Sequence, residues 1–178
     1  MKTFVIAVGF IAFALAAHGA EKSNEEMIAN AMSAGPYSIA KAATIMAMTP
    51  DGKMVVLRQG SNGWTCVPDD PATPGNDPMC MDQASLAWLH ALLEHKDPPD
   101  AIGFMYMLGG GSDADNLDPY AEKPPAGRRW VETGPHVMVV GPAVKKMLGY
   151  PKDAQPDTSK PYVMFPGTPY EHLMLPVK

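Results

Sequence analysis

The sequence predicts an α+β fold: a mostly antiparallel β-sheet with one main helix at about residues 83–96 and short helices, after a cleaved leader. Three observations carry that expectation. Short apolar segments recur along the chain, divided by Gly, Pro, Asn and Asp turns. One segment alone, "QASLAWLHALLEHK", has the apolar spacing of a substantial amphipathic helix. Strands and helices do not alternate as a doubly wound parallel sheet would require.

The first twenty residues read as a signal peptide. Lys2 supplies a positive start, Phe4 to Ala17 is an apolar run of 14 residues, and small residues at Ala17, Gly19 and Ala20 offer cleavage after Gly19 or Ala20. An uncleaved anchor is the alternative. The run is short for a membrane span, and no later stretch is long and apolar enough to make one, so the mature protein is expected to be periplasmic or secreted, without a membrane partner. Residues 21–178 then form a single domain, long enough to bury a core.

Ser23 with Glu26 forms a capping-box pattern that opens a short helix ending at Gly35-Pro36. "ATIMAM" (43–48), "MVVLRQ" and "WTCVP" read as three strands of a β-meander, the first turn carried by Asp51-Gly52. Asp82 caps the main helix, in which Leu86, Leu89 and Leu93 share a stripe widened by Trp88 and Leu92, with His90 at its rim. Residues 101–108 read as a strand buried on both faces. A long loop follows, then strands at "WVE" and "HVMVV", a short helix opened by Pro142, and closing strands at "PYVMF" and "HLMLPV". The 16 glycines and 19 prolines among 178 residues make the chain loop-rich but short of a disordered composition.

Charge excludes some partners. Loss of Lys2 takes the 14 basic residues to 13, against 19 acidic, a net charge of −6. There is no basic patch for nucleic acid or anionic lipid, and Arg128-Arg129 before Trp130 reads as a solvated pair at a strand start. Cys66 and Cys80 are the only cysteines, and in an oxidising compartment they are expected to pair as a disulfide across a proline-rich loop. Thiolate ligation beside Met79 and Met81 is the alternative.

The blocks "NGWTCVPDDPATPGNDPMC", "YMLGGGSDADNLDPYA", "TGPHVMVV" and "YVMFPGTPYEHLMLPV" resemble segments of a group of small exported bacterial proteins known only as uncharacterised. The resemblance spans about Asn62 to Val177. It implies one exported domain and brings no activity, cofactor or catalytic residue.

The strongest site pattern is a repeated His/Tyr-x-Met. Alternate strand residues share a face, so His136 with Met138, His172 with Met174, and Tyr162 with Met164 each mark a strand with one aliphatic face and one His/Met or Tyr/Met face. A solvated face would carry Lys, Glu or Thr, so this face is expected to be covered or to line a pocket. His136, Met138, His172 and Met174 converging as two imidazoles and two thioethers would suit copper, the thioethers favouring Cu(I). The 14 methionines in the full sequence, with further pairs at Met46/Met48, Met79/Met81 and Met105/Met107, fit a methionine-rich metal binder. The same pattern also fits methionine as core filler, or an organic-ligand pocket. Zinc lacks a close Cys/His spacing.

In "GGGSDADNLDP", Asp113, Asp115, Asn116 and Asp118 offer oxygen ligands for calcium, though an EF-hand pattern is missing; turns closed on their own backbone are the simpler account. No Walker motif stands there. A hydrolase would use Ser112 as nucleophile with His136 or His172 as base and Asp113 or Asp115 as orienter, but without a nucleophile-elbow motif. The leading expectation is thus an exported binding protein with a copper-type His/Met face. The alternatives are a small secreted hydrolase, or a structural or protein-interaction domain without a small-molecule site.

Overall fold

The computed structural model describes residues 22–49, 51–147 and 149–177; the expected leader at 1–20 lies outside them. Ser23 and Glu26 form the expected capping box, each bonding the other's backbone N–H, at the start of α1 (Asn24–Ser33). One turn of helix, α2 (Tyr37–Ala40), follows Pro36. The chain continues through β1 (Thr44–Met48), β2 (Met54–Arg58), β3 (Thr65–Val67), β4 (Met79–Met81), α3 (Gln83–Leu93), β5 (Gly103–Met107), β6 (Gly111–Asp113), β7 (Val131–Thr133), β8 (His136–Val140), a 3-10 helix (Pro142–Lys146), β9 (Tyr162–Met164) and β10 (His172–Pro176). The main sheet has eight strands in the order β2-β1-β3-β4-β5-β8-β10-β9, and β6 pairs with β7 as a separate two-stranded ribbon. The architecture is α+β and mainly antiparallel.

The first three strands are not a meander. β2 pairs with β1 in antiparallel fashion, but β3 lies on the other side of β1 and parallel to it. The connection passes beneath the start of β1, where Ser61 N–H bonds to Ala42 C=O at 2.8 Å and Thr44 N–H to Trp64 C=O at 2.9 Å. Gly60 permits the crossing: a Cβ there would sit 2.1 Å from Thr44 N. The turn pattern of "SNG" is visible in the sequence, but the side of β1 to which the chain returns is not.

Two further strands, β4 and β6, are too short to register as apolar runs. β4 lies opposite β3, placing Cys66 directly across from Cys80, and the two form a disulfide. Closing a loop of this length stabilises by roughly 3 kcal/mol in the chain-entropy account.

Both faces of the main sheet are covered. Against one face, α1 and α2 bring Ala31, Ala34 and Ala40 onto Ile45, Cys66 and Cys80, while Val144 of the 3-10 helix packs on Val139, Val163 and Leu173. Against the other lie α3 and the β6–β7 ribbon, enclosing Met81, Met105, Met107, Met138, Met164 and Met174 with Trp88 and Val131. α3 starts where expected, its Asp82 cap accepting from Ser85 N–H at 2.8 Å. The same carboxylate accepts from Phe104 N–H of β5, tying the helix start to the sheet. The helix ends at Leu93, and its buried stripe is Ser85, Trp88 and Ala91; Leu93 is 52% exposed. Trp88, expected only to widen the leucine stripe, lies at its buried centre, and Leu86, Leu89 and Leu92 pack against the core as half-buried flanks. β5 is fully buried on one face; on the other, Tyr106 packs against the α1–α2 cluster while Phe104 is 47% exposed.

The crossing under β1 yields the first test. Gly60→Ala is expected to destabilise the protein by about 2 kcal/mol or more, because the new methyl group meets backbone that cannot swing aside. Urea unfolding monitored by circular dichroism measures the change.

Candidate functional site

Strand register lays the covered face out in rows. One row runs laterally through Thr65, Met81, Met105, Met138, Met174 and Tyr162, each directly opposite its neighbour on the next strand. His136 lies in an adjacent row opposite Met107, and His172 lies in the adjacent row on the other side, opposite Met164. The expected face is therefore real, and His136, Met138, His172 and Met174 all point into the covered layer. They do not form one compact four-ligand cluster. With His136 opposite Pro176 and Met138 opposite Met174, the two histidines stand four positions apart along neighbouring strands, a separation of roughly 13 Å at about 3.3 Å per residue.

A local backbone contact fixes each ring's tautomer. His136 Nδ1 lies 2.7 Å from Gly134 C=O and His172 Nδ1 lies 2.9 Å from Tyr170 C=O. A carbonyl only accepts, so each Nδ1 carries the proton and each neutral ring presents a bare lone pair at Nε2. Both Nε2 atoms are buried and have no hydrogen-bond partner among the described residues. Each ring turns an edge towards the residue two positions earlier, away from its own Met138 or Met174 neighbour. In antiparallel strands these directions are opposite.

By register, the methionine directly across from His136 is Met107 and the one across from His172 is Met164. An added Cβ on Gly111 would lie 3.2 Å from His136 Cε1 and 3.7 Å from Met107 Sδ, so ring and sulfur converge beneath the β6 glycine. His172 is wholly buried, edge-to-face with Trp88 at 5.1 Å and with Phe165 at 5.3 Å between ring centres. Phe165 takes a left-handed backbone, φ 54°, rare for a bulky residue. Trp88 Nε1 is a second buried polar atom without a partner beside this ring.

Burial holds both imidazoles neutral. It lowers the pKa of His136 against the opposing effect of the Gly134 carbonyl. It lowers that of His172 to about 4, with the His136 charge acting in the same direction. No carboxylate contributes at either ring, so the base–orienter arrangement of a hydrolytic triad is not assembled. Ser112 stands apart as well. On β6 it points opposite to Gly111 and Asp113, and its Oγ accepts from Gly75 N–H at 3.0 Å.

The acidic loop separates into individual roles. Asp115 is paired with Arg128 at 2.6 Å and accepts from Leu117 N–H. Asp118 accepts from Tyr120 N–H. Both carboxylates close turns on backbone two residues ahead, as the simpler account of the sequence expects. Among the described residues no three His, Cys, Asp or Glu side chains gather to hold a metal ion. Tyr162 hydrogen-bonds Thr133 through their hydroxyls at 2.7 Å, and burial raises its pKa. Asp113 accepts no hydrogen bond among the described residues; burial first, and the Asp77 charge second, raise its pKa to about 7.

Met107 is the site residue whose role sequence reasoning missed, and Met164 the one it left as a pocket neighbour of Tyr162. Their spacing of two from Met105 and Tyr162 places them on the correct face. Only the strand order reveals that each faces a histidine. The chain matches no family model, no curated protein and no solved structure.

His172 and Asp113 impose opposite pH dependences. Between about pH 4 and 6.5 the unfolded chain protonates His172 while the folded one does not, so this group makes stability rise with pH. Between about pH 3.8 and 7 the folded chain keeps Asp113 protonated while the unfolded one releases it, so this group makes stability fall with pH. Each effect is on the order of 3 kcal/mol. Relative to wild type, Asp113→Asn should therefore lose stability on acidification across the shared window, and His172→Phe should gain it. Urea titrations at several pH values measure both slopes.

Proposed function

We propose that this is an exported binding protein that takes a soft cation, Cu(I), into its buried His/Met layer. One observation carries the proposal: two neutral imidazoles, each fixed by an Nδ1–H bond to a carbonyl, hold unpartnered Nε2 lone pairs in a methionine-lined layer. Carbonyl bonds of this kind orient histidine ligands and select the tautomer that presents Nε2. Thioether and imidazole together suit Cu(I), which accepts low coordination numbers, whereas hard cations call for oxygen ligands. Register favours two nitrogen–sulfur pairs, His136 with Met107 and His172 with Met164, flanking Met138 and Met174. Export is supported by the leader pattern and by the Cys66–Cys80 disulfide.

The competing account is that methionine only fills a two-sided core. Competition for Cu(I) against a chromogenic chelator separates the two. Wild type should bind more tightly than micromolar. Met107→Leu and Met164→Leu, which retain apolar bulk, should each weaken binding by about tenfold or more with little change in melting temperature. The proposal is sunk if wild type binds more weakly than micromolar, or if His136→Ala/His172→Ala, shown to be folded, binds as well as wild type.

A further inference from the structure

We infer that Trp88, Tyr170 and Tyr120 form an electron-transfer path that carries one-electron oxidising equivalents from the methionine layer to the surface. The three rings are consecutive neighbours. Trp88 and Tyr170 stand 6.1 Å apart between ring centres at an interplanar angle of 86°, and Tyr170 and Tyr120 stand 6.0 Å apart at 83°. The inner end lies within the methionine-lined core, with Trp88 and Tyr170 each 3% exposed. The outer end is open: Tyr120 is 43% exposed and stacks on the exposed His95 ring at 4.1 Å.

Chemistry gives the path a direction. Indole surrenders an electron more readily than a thioether or an imidazole, so a one-electron oxidant that reaches the layer acts on Trp88. Trp88 Nε1–H has no hydrogen-bond partner among the described residues, so no side chain there takes its proton. The oxidised indole then stays a radical cation, a stronger oxidant than the deprotonated indole radical, and draws an electron from the neighbouring phenol. Tyr170 donates its O–H to Lys96 C=O at 2.8 Å and accepts from Tyr120 O–H at 2.9 Å. Neither partner takes a proton, so Tyr170 passes the hole on instead of keeping it. Tyr120 supplies the electron and releases its phenolic proton to water. With nitrogen dioxide as the oxidant, the products are one nitrite, one proton and one Tyr120 phenoxyl radical. A hydrogen-atom donor of the ascorbate class then restores the phenol.

The end of α3 is built to hold the outer ring. Lys96 N–H bonds to Ala91 C=O at 2.8 Å and His95 N–H to Leu92 C=O at 3.2 Å, the two bonds of a Schellman motif. The left-handed position of that motif favours glycine, yet His95 occupies it at φ 55°. Its imidazole gives what glycine could not, a flat surface against which the Tyr120 ring lies, 13° from parallel.

The test uses copper-free protein, so its outcome is independent of the Cu(I) proposal. Azide radicals, which oxidise indole selectively at neutral pH, are generated by pulse radiolysis in Trp64→Phe/Trp130→Phe, whose one remaining tryptophan is Trp88. Circular dichroism checks its fold. Transient absorption should show the indole radical decaying as phenoxyl radical rises one for one, at a rate independent of protein concentration. Adding Tyr120→Phe should remove the phenoxyl signal, and adding Tyr170→Phe should slow its rise by about tenfold or more. Adding Tyr37→Phe, at an exposed tyrosine outside the path, should change neither. Where the double variant does not fold, Tyr120→Phe alone should lower the phenoxyl yield below that of wild type. A cluster that only ties the end of α3 to the chain before β10 would move none of these readouts. The inference is overturned if Trp88 gives no radical, if no phenoxyl radical follows, if its rise depends on protein concentration, or if Tyr120→Phe leaves its yield undiminished.

Discussion

The lateral register of β4, β5, β8 and β10 is the constraint on which the rest of the structure depends. It aligns Met81, Met105, Met138 and Met174 in one row. A slip of one residue in β8 would turn His136 and Met138 towards the opposite face and send Val137 and Val139 into the layer, because strand side chains alternate. Both faces are packed, so the slip would cost burial twice. Register also decides which methionine lies across from which histidine, Met107 from His136 and Met164 from His172.

The covered layer keeps polar atoms that a purely apolar filling would avoid. Nε2 of His136, Nε2 of His172 and Nε1 of Trp88 are all buried without partners among the described residues. Each such group costs on the order of 1–3 kcal/mol when left unsatisfied. Leucine or phenylalanine at these places would fill similar volume at no such cost. Retaining imidazole here makes better sense for a layer that binds something than for one that only packs.

Local patterns were legible and long-range ones were not. Ser23 with Glu26, Asp82 before the helix, the Asp51-Gly52 turn and the His/Met alternation of β8 and β10 are all short-range signals, and the structure carries each of them. The Cys66–Cys80 bridge followed from cysteine number and the expected oxidising compartment. The position of β3 beside β1, by contrast, depends on a crossing under a neighbouring strand. β4 and β6 are three residues each, and their pairing comes from partners far away in the sequence. The convergence of His136 and His172 was the part of the site that spacing could not decide. Two strands with the same His-x-Met pattern place their histidines on one face whatever their direction, but antiparallel pairing at this register sets the rings at opposite ends of the Met138–Met174 pair.

The buried methionine row also bears on how the molecule ages. Thioethers in an oxidising environment are open to conversion to sulfoxide, which is polar and larger. In the folded protein Met81, Met105, Met138 and Met174 are shielded, none more than 7% exposed. Unfolding would expose all four together, and a sulfoxide on any one could not return to a dry layer between sheet and helix. Each unfolding event in such surroundings therefore carries a chance of being final, so the working lifetime of the protein would follow its unfolding rate more closely than its equilibrium stability.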